Sequence, residues 1–96
     1  MKCYKITENN ITYDIEETDC GNKYWILNDL YHRDNGPAIE YSDGSKSWYK
    51  NGLYHRVGGP AVEWADGSIE YWYNGEILDI KSDKELKRYI KLLSIS

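Results

Sequence analysis

Residues 28–45 read NDLYHRDNGPAIEYSDGS, and residues 51–68 read NGLYHRVGGPAVEWADGS. His32 and His55, Pro37 and Pro60, Gly44 and Gly67, and Asn51 and Asn74 all stand 23 positions apart. A fixed period with its turn residues in register marks a repeat architecture, in which each unit buries its apolar groups against its neighbours. Counting back from Trp48 and Asn51 reaches Trp25 and Asn28, so a degenerate first copy precedes the two clear ones. Its turn is Cys20-Gly21, where the later copies have Asp43-Gly44 and Asp66-Gly67.

Each unit reads as two strands and two turns. Asp-Gly between β-formers predicts a two-residue type I′ hairpin, since both central residues of that turn need positive φ. Such a turn sets Tyr41 opposite Lys46 and Ile39 opposite Trp48; in the next unit it sets Trp64 opposite Ile69 and Val62 opposite Tyr71. With period 2, Ile39, Tyr41, Trp48, Val62, Trp64, Ile69, Tyr71 and Tyr73 then form the core face. Ala38, Glu40, Ser47, Tyr49, Ala61, Glu63, Glu70 and Trp72 face outward, with Glu63 opposite Glu70, a pair suited to a wet surface.

The expected fold is mainly β: one domain over residues 1–96, an antiparallel meander of stacked hairpins with about six to eight strands. An N-terminal hairpin covers 1–15, where Tyr4, Ile6, Ile11, Tyr13 and Ile15 alternate. Three repeats cover 16–80. Ser82-Asp83-Lys84-Glu85 is a capping box, and Leu86, Tyr89, Ile90 and Leu93 follow at helical spacing, so an amphipathic helix over 82–94 is expected to lie on the sheet as a lid. Ten Tyr, four Trp and no Phe suit half-wet pleated surfaces, where a ring is buried and its polar tip reaches water.

Charge separates two surfaces. Residues 1–80 hold 14 acids against 7 bases, and residues 81–96 hold 2 against 5. The absence of a long apolar run argues against a membrane span, and Met1-Lys2-Cys3-Tyr4-Lys5 carries no export signal, so the cytoplasm is the expected compartment. Cys3 and Cys20 lack metal or redox spacing and are expected to be reduced. No cofactor, metal or catalytic residue is expected.

His32-Arg33 and His55-Arg56 are the candidate anion-binding residues, because cationic side chains beside Gly-rich turns can hold a phosphate or carboxylate. The competing reading makes them structural, each His bonding a neighbouring turn and each Arg pairing with a carboxylate such as Asp34 or Glu40. They show no Cys/His clustering for a metal and no paired nucleophile for acid–base work. Exposed rings among Glu40, Glu63 and Glu70 would repel phosphate, which argues against nucleic acid.

The units NGxYHRxxGPA…DG…WYxNG resemble MORN-type repeats in a variant form, and are similar to repeats in small bacteriophage and large-DNA-virus proteins. The resemblance covers residues 25–75 well and 11–24 weakly. It implies stacked hairpins used as a non-enzymatic scaffold for binding other proteins or, in some MORN proteins, membrane lipids, a role that the acidic sheet surface here argues against. In a viral setting it implies an accessory protein in the host cytoplasm that inhibits a host defence factor. The residues expected to bind are Glu40, Tyr49, Glu63, Glu70 and Trp72, meeting a protein partner with a basic surface. The alternative is a small anion- or nucleotide-binding module using His32, Arg33, His55 and Arg56. Open sheet edges at the first hairpin and near Tyr73 allow a monomer or an edge-to-edge homodimer.

Overall fold

Two kinds of chain reversal organise the protein, whose computed structural model describes residues 1–93. At Asn9-Asn10, Asn28-Asp29, Asn51-Gly52 and Asn74-Gly75, both residues have positive φ. These are the type I′ turns, and Asn tolerates the left-handed region because its short polar side chain bonds locally. The Asp-Gly loops differ from expectation. Only the glycines are left-handed there, with φ of 96° at Gly44 and 93° at Gly67. Gly44 N–H donates to the Tyr41 carbonyl at 3.0 Å and Tyr41 N–H to the Ser45 carbonyl at 2.9 Å. That is a three-residue loop, a type I turn closed by a left-handed glycine.

The extra loop residue slips the register by one. Ile39 stands opposite Ser47 rather than Trp48, and Glu40 opposite Lys46. Val62 stands opposite Glu70 rather than Tyr71, and Glu63 opposite Ile69, so the expected Glu63–Glu70 pair does not form. Because side chains alternate, the slip also redistributes residues between faces.

The described residues form eleven antiparallel strands and one helix: β1 (Lys2–Glu8), β2 (Ile11–Glu17), β3 (Lys23–Leu27), β4 (Leu30–Tyr31), β5 (Ile39–Glu40), β6 (Lys46–Ser47), β7 (Tyr49–Lys50), β8 (Leu53–Tyr54), β9 (Val62–Glu63), β10 (Ile69–Tyr73), β11 (Glu76–Leu78) and α1 (Asp83–Leu93). The main sheet runs β1-β2-β3-β5-β6-β9-β10-β11, with β4 on β3 and β7 paired to β8. The expected six to eight strands become eleven because the long ones are interrupted. Trp48 joins β6 to β7, donating its N–H to the Ala61 carbonyl at 2.7 Å and accepting from His55 N–H at 3.0 Å. β8 and β9 are thus two halves of one line, parted by a bulging loop at 56–60.

The molecule is a slab of 42 × 32 × 18 Å. With a single layer, it buries its faces under its own rings. One transverse row runs Trp25, Ala38, Trp48, Ala61, Tyr71, placed side by side by the Trp25–Ala38, Trp48–Ala61 and neighbouring backbone bonds. Large and small alternate, and both alanines are fully buried between flanking rings. Tyr13, Ile15, Trp25 and Ala38 form the core cluster, with Ile6, Ile11 and Leu27 at its border. Tyr13 meets Trp25 edge-on, with centroids 5.4 Å apart. The second face buries Ile39, Ser47 and Val62. The expected division into a buried and a wet face is therefore replaced by two half-buried faces. Ala38, Ala61 and Ser47 are inside, Trp48 is only half-buried, and Trp64 and Ile69 are exposed.

Helix α1 begins as expected: Ser82 Oγ accepts from Glu85 N–H at 3.3 Å, and Glu85 Oε2 accepts from Lys81 N–H at 3.2 Å. It ends at Leu93 among the described residues; residue 94 of the expected helix lies outside them. Leu86 is buried, and Tyr71 Oη donates to Asp83 Oδ1 at 2.7 Å. The helix therefore covers the last strands rather than the whole sheet. The edge expected near Tyr73 is occupied by β11, since Tyr73 stands opposite Glu76.

Trp25→Ala is expected to cost about 3–5 kcal/mol as a large-to-small core change, and Trp48→Ala and Trp72→Ala clearly less, in urea midpoints at pH 7; equal losses would contradict this placement of the core. Burial and the Asp83 carboxylate push the Tyr71 hydroxyl up to about 12. A group with a raised folded pKa contributes stability below its unfolded value, near 10, and loses it as pH rises further. Stability should therefore fall between pH 10 and about 12, and less steeply in Tyr71→Phe.

Candidate functional site

The repeated Tyr-His-Arg segment ends β4 and β8 and enters the loops at 33–37 and 56–60. Its histidines grip the next unit. His32 Nδ1 accepts from Asn51 N–H at 3.0 Å, and His55 Nδ1 accepts from Asn74 N–H at 3.0 Å. The adjacent Gly52 and Gly75 N–H groups donate to the Tyr31 and Tyr54 carbonyls, both at 2.9 Å. Both amides of the Asn51-Gly52 and Asn74-Gly75 turns are thus satisfied by the preceding unit. Leu30 lies so near Gly52 that a Cβ there would stand 3.3 Å from its Cδ2.

An accepting Nδ1 puts the proton on Nε2. In His32 that Nε2–H donates to Asp34 Oδ1 at 3.0 Å. Val57 occupies the matching place beside His55, which has no such carboxylate. Burial first, then the nearby Lys50 charge, lower the His55 pKa.

The arginines lie flat on tryptophans. Arg33 is centred 3.6 Å above Trp25, and Arg56 3.8 Å above Trp48. Each Nη1 donates to a proline carbonyl four residues on, Pro37 at 3.3 Å and Pro60 at 3.0 Å. A Cβ at Gly36 would stand 2.9 Å from Arg33 Nη1, and one at Gly59 would stand 3.1 Å from Arg56 Nη1, which explains the glycines of the motif. Beyond this the two diverge. Arg33 gives Nε and Nη2 to the two oxygens of Glu8, at 3.1 and 2.8 Å, with Glu40 3.8 Å away. The hydrogen bond from Arg33 holds the Glu8 carboxyl below its usual range. Arg56 gives Nη1 to Glu63 at 3.0 Å.

Loops 33–37 and 56–60 bound a groove of about 390 Å³ with Arg33, Lys50, Trp48, His55 and Arg56 in its lining. Three of the four expected anion-binding residues thus meet, while His32 turns to Asn51. Glu8 was not foreseen, because it lies in a hairpin outside the repeat with no period to mark it.

The five residues expected on one acidic face are divided. Pairing of Lys23, Glu40, Lys46, Glu63 and Ile69 puts Glu40 and Glu63 on the arginine face. Glu70, opposite Val62, lies on the other, with Trp72 two residues on. There the rings form a ladder: Tyr24–Tyr31 at 5.7 Å, Tyr31–Tyr49 at 5.4 Å, Tyr49–Tyr54 at 4.6 Å and Tyr54–Trp72 at 4.9 Å. Burial, then the Tyr54 hydroxyl, raise the Tyr49 pKa strongly. Tyr24, Tyr31 and Tyr54 went unforeseen, although an Asn51-Gly52 type I′ turn sets Tyr49 opposite Tyr54. Glu70 accepts from both Trp72 Nε1 at 2.9 Å and Trp64 Nε1 at 3.3 Å.

Among the described residues, no three His, Cys, Asp or Glu side chains are grouped to hold a metal, and Cys3 and Cys20 are free thiols. No helix among them is long and apolar enough to cross a membrane. No known protein family, curated protein or solved structure matches the chain.

The His55 shift has a definite sign. Its depressed pKa means the unfolded chain takes up the proton first, so its contribution is full above pH 6.5 and declines as pH falls through the folded value. Lowering pH from 7.5 to 5 should reduce the urea midpoint, and less so in His55→Gln; an unchanged slope would show that His55 does not couple folding to pH.

Proposed function

We propose that this protein is a non-enzymatic protein-binding module whose contact surface is the aromatic ladder of Tyr24, Tyr31, Tyr49, Tyr54 and Trp72, and that its partner presents a basic surface. The observation that carries the reading is the ladder itself. Five rings in sequence cross a sheet face that no second layer covers. Tyr and Trp supply large, rigid contact area with a polar tip, and they dominate interface energetics. Ile39 and Val62 are buried on the same face, while Tyr31 of the ladder is exposed.

Charge supports a cationic partner. Glu70 lies beside Trp72, and Glu16 stands opposite Tyr24; neither has a cationic partner among the described residues. A basic residue of the partner would meet a carboxylate oriented by indole N–H groups next to aromatic faces, a setting that favours Arg. The same charges disfavour nucleic acid, whose phosphates they repel. The MORN-like resemblance supplies a setting: a viral accessory protein in the host cytoplasm, covering the basic nucleic-acid channel of a defence factor. Monomer and edge-to-edge dimer are both compatible with this surface, because the edge strands β1 and β11 lie outside the ladder, which runs from β3 to β10.

The test is affinity capture with the intact chain, Tyr54→Ser/Glu70→Lys and Arg56→Lys as baits, after circular dichroism confirms that each folds. The intact chain and Arg56→Lys should retain the same protein, the double variant should lose it, and retention should fall as salt rises from about 0.05 to 0.5 M. Capture that survives the double variant and disappears with Arg56→Lys would overturn this assignment.

A further inference from the structure

Loops 33–37 and 56–60 divide the arginine face into three intervals, one before, one between and one after them, and the outer two are filled by the chain itself. In the first, the Tyr13 ring stacks on His32 with centroids 6.4 Å apart, and its hydroxyl accepts from Asp34 N–H at 3.3 Å. The Glu8 carboxylate completes that filling on the Nε and Nη2 edge of Arg33. In the third, Tyr73 packs on His55 at 4.6 Å and on Tyr89 of α1 at 6.0 Å, while Tyr71 bonds Asp83. The second interval is the open groove of about 390 Å³.

Arg56 is held in that groove as Arg33 is held in the first interval. Both lie on a tryptophan, and both spend Nη1 on the proline carbonyl. Arg33 then gives Nε and Nη2 to a carboxylate. Among the described residues, Arg56 Nε and Nη2 have no acceptor, and its side chain is 28% exposed against 15% for Arg33. The Lys50 ammonium lines the same groove, half-exposed and 3.7 Å from Asp34.

We propose that the central groove is a carboxylate-binding site, in which an acidic group from outside the chain takes on Arg56 the place that Glu8 takes on Arg33. The fork of a guanidinium matches the two oxygens of a carboxylate, and a planar stack under it removes the entropy of positioning it. Glu63 on Nη1 does not forbid a second carboxylate, because Glu40 stands in the matching place 3.8 Å from Arg33 while Glu8 is bound. The site lies on the face opposite the aromatic ladder and is independent of it. Its ligand is either a small free carboxylate or a glutamate side chain of a protein, chemically one group.

The test is NMR on the full isotope-labelled chain, following the Nε–H signals of Arg56 and Arg33 and the indole N–H of Trp48 at constant ionic strength. The probes are N-acetyl-glutamate methylamide, the peptide acetyl-Gly-Glu-Gly-amide, its Gln counterpart and inorganic phosphate. The Glu peptide should shift Arg56 and Trp48 saturably at roughly millimolar concentration and leave the Arg33 Nε–H in place. Half-saturation should rise about tenfold or more in Arg56→Lys, which keeps charge without the fork. Equal response to the two glutamate probes assigns a free carboxylate, and response to the peptide alone assigns a protein segment; either supports the site. No saturable shift, the same shift with the Gln peptide, or saturation by phosphate alone would overturn it, and the Glu–Gln comparison on the unaltered chain decides even if Arg56→Lys fails to fold.

Discussion

In a molecule only 18 Å through its thinnest dimension, the described residues give the β-sheet no second sheet layer against which to bury its faces, and the rest of this protein follows from that constraint. A sheet normally hides one face under another sheet or under helices. Here α1 reaches only the last strands, so side chains must cover the remainder by lying down on it. Rings do this well, being wide and flat. On one face the alternation Trp25, Ala38, Trp48, Ala61, Tyr71 lets each ring spread over a small neighbour. On the other, Tyr24, Tyr31, Tyr49, Tyr54 and Trp72 pack ring to ring on the face that buries Ile39, Ser47 and Val62. The preference for Tyr and Trp over Phe has the same origin, because a ring that roofs a sheet has one edge in water.

A ring laid on a sheet needs something to hold it flat, and the polar residues of the motif supply this. Arg33 presses on Trp25 while held at Nη1 by a carbonyl and at Nε and Nη2 by a carboxylate, and Arg56 presses on Trp48 while held at Nη1 alone by a carbonyl and a carboxylate. His32 and His55 hold the next type I′ turn, and Ser45 Oγ accepts from Ala65 N–H at 2.9 Å, as Asn22 Oδ1 accepts from Ser42 N–H at 2.8 Å, along the other margin. Successive units are thus fastened along both margins by side chains that repeat with the unit. The motif residues with the most conspicuous chemistry serve first to join one unit to the next. Arg56 differs from Arg33 in having no carboxylate on Nε and Nη2 among the described residues, and the proposed carboxylate site rests on that difference.

The repeat, its period, the antiparallel meander and the start of the terminal helix were legible in the sequence, because each rests on local chemistry: left-handed Asn and Gly, β-branched and aromatic runs, a Ser–Glu cap. Which residues share a face was not. Asp43-Gly44 is compatible with both a two-residue and a three-residue loop, and the two differ by one residue of register. That single step moved Trp48 half into solvent, sent Ala38 and Ala61 inside, and divided Glu40 and Glu63 from Tyr49, Glu70 and Trp72. The pairing of Arg33 with Glu8 was equally hidden, since 25 residues and a strand hairpin separate them.

The sequence by itself determined that the chain is built from 23-residue hairpin units, since turn chemistry acts over a few residues and recurs wherever the same residues recur. Tertiary structure alone decided where the units differ in use. Tyr13 and Glu8 fill the first interval, α1 closes the third, and the middle one is left open. Identical motifs acquire different surroundings because the first and last units meet segments from outside the repeat. The contents of an interval depend on side chains brought together across the sheet, which no local period encodes.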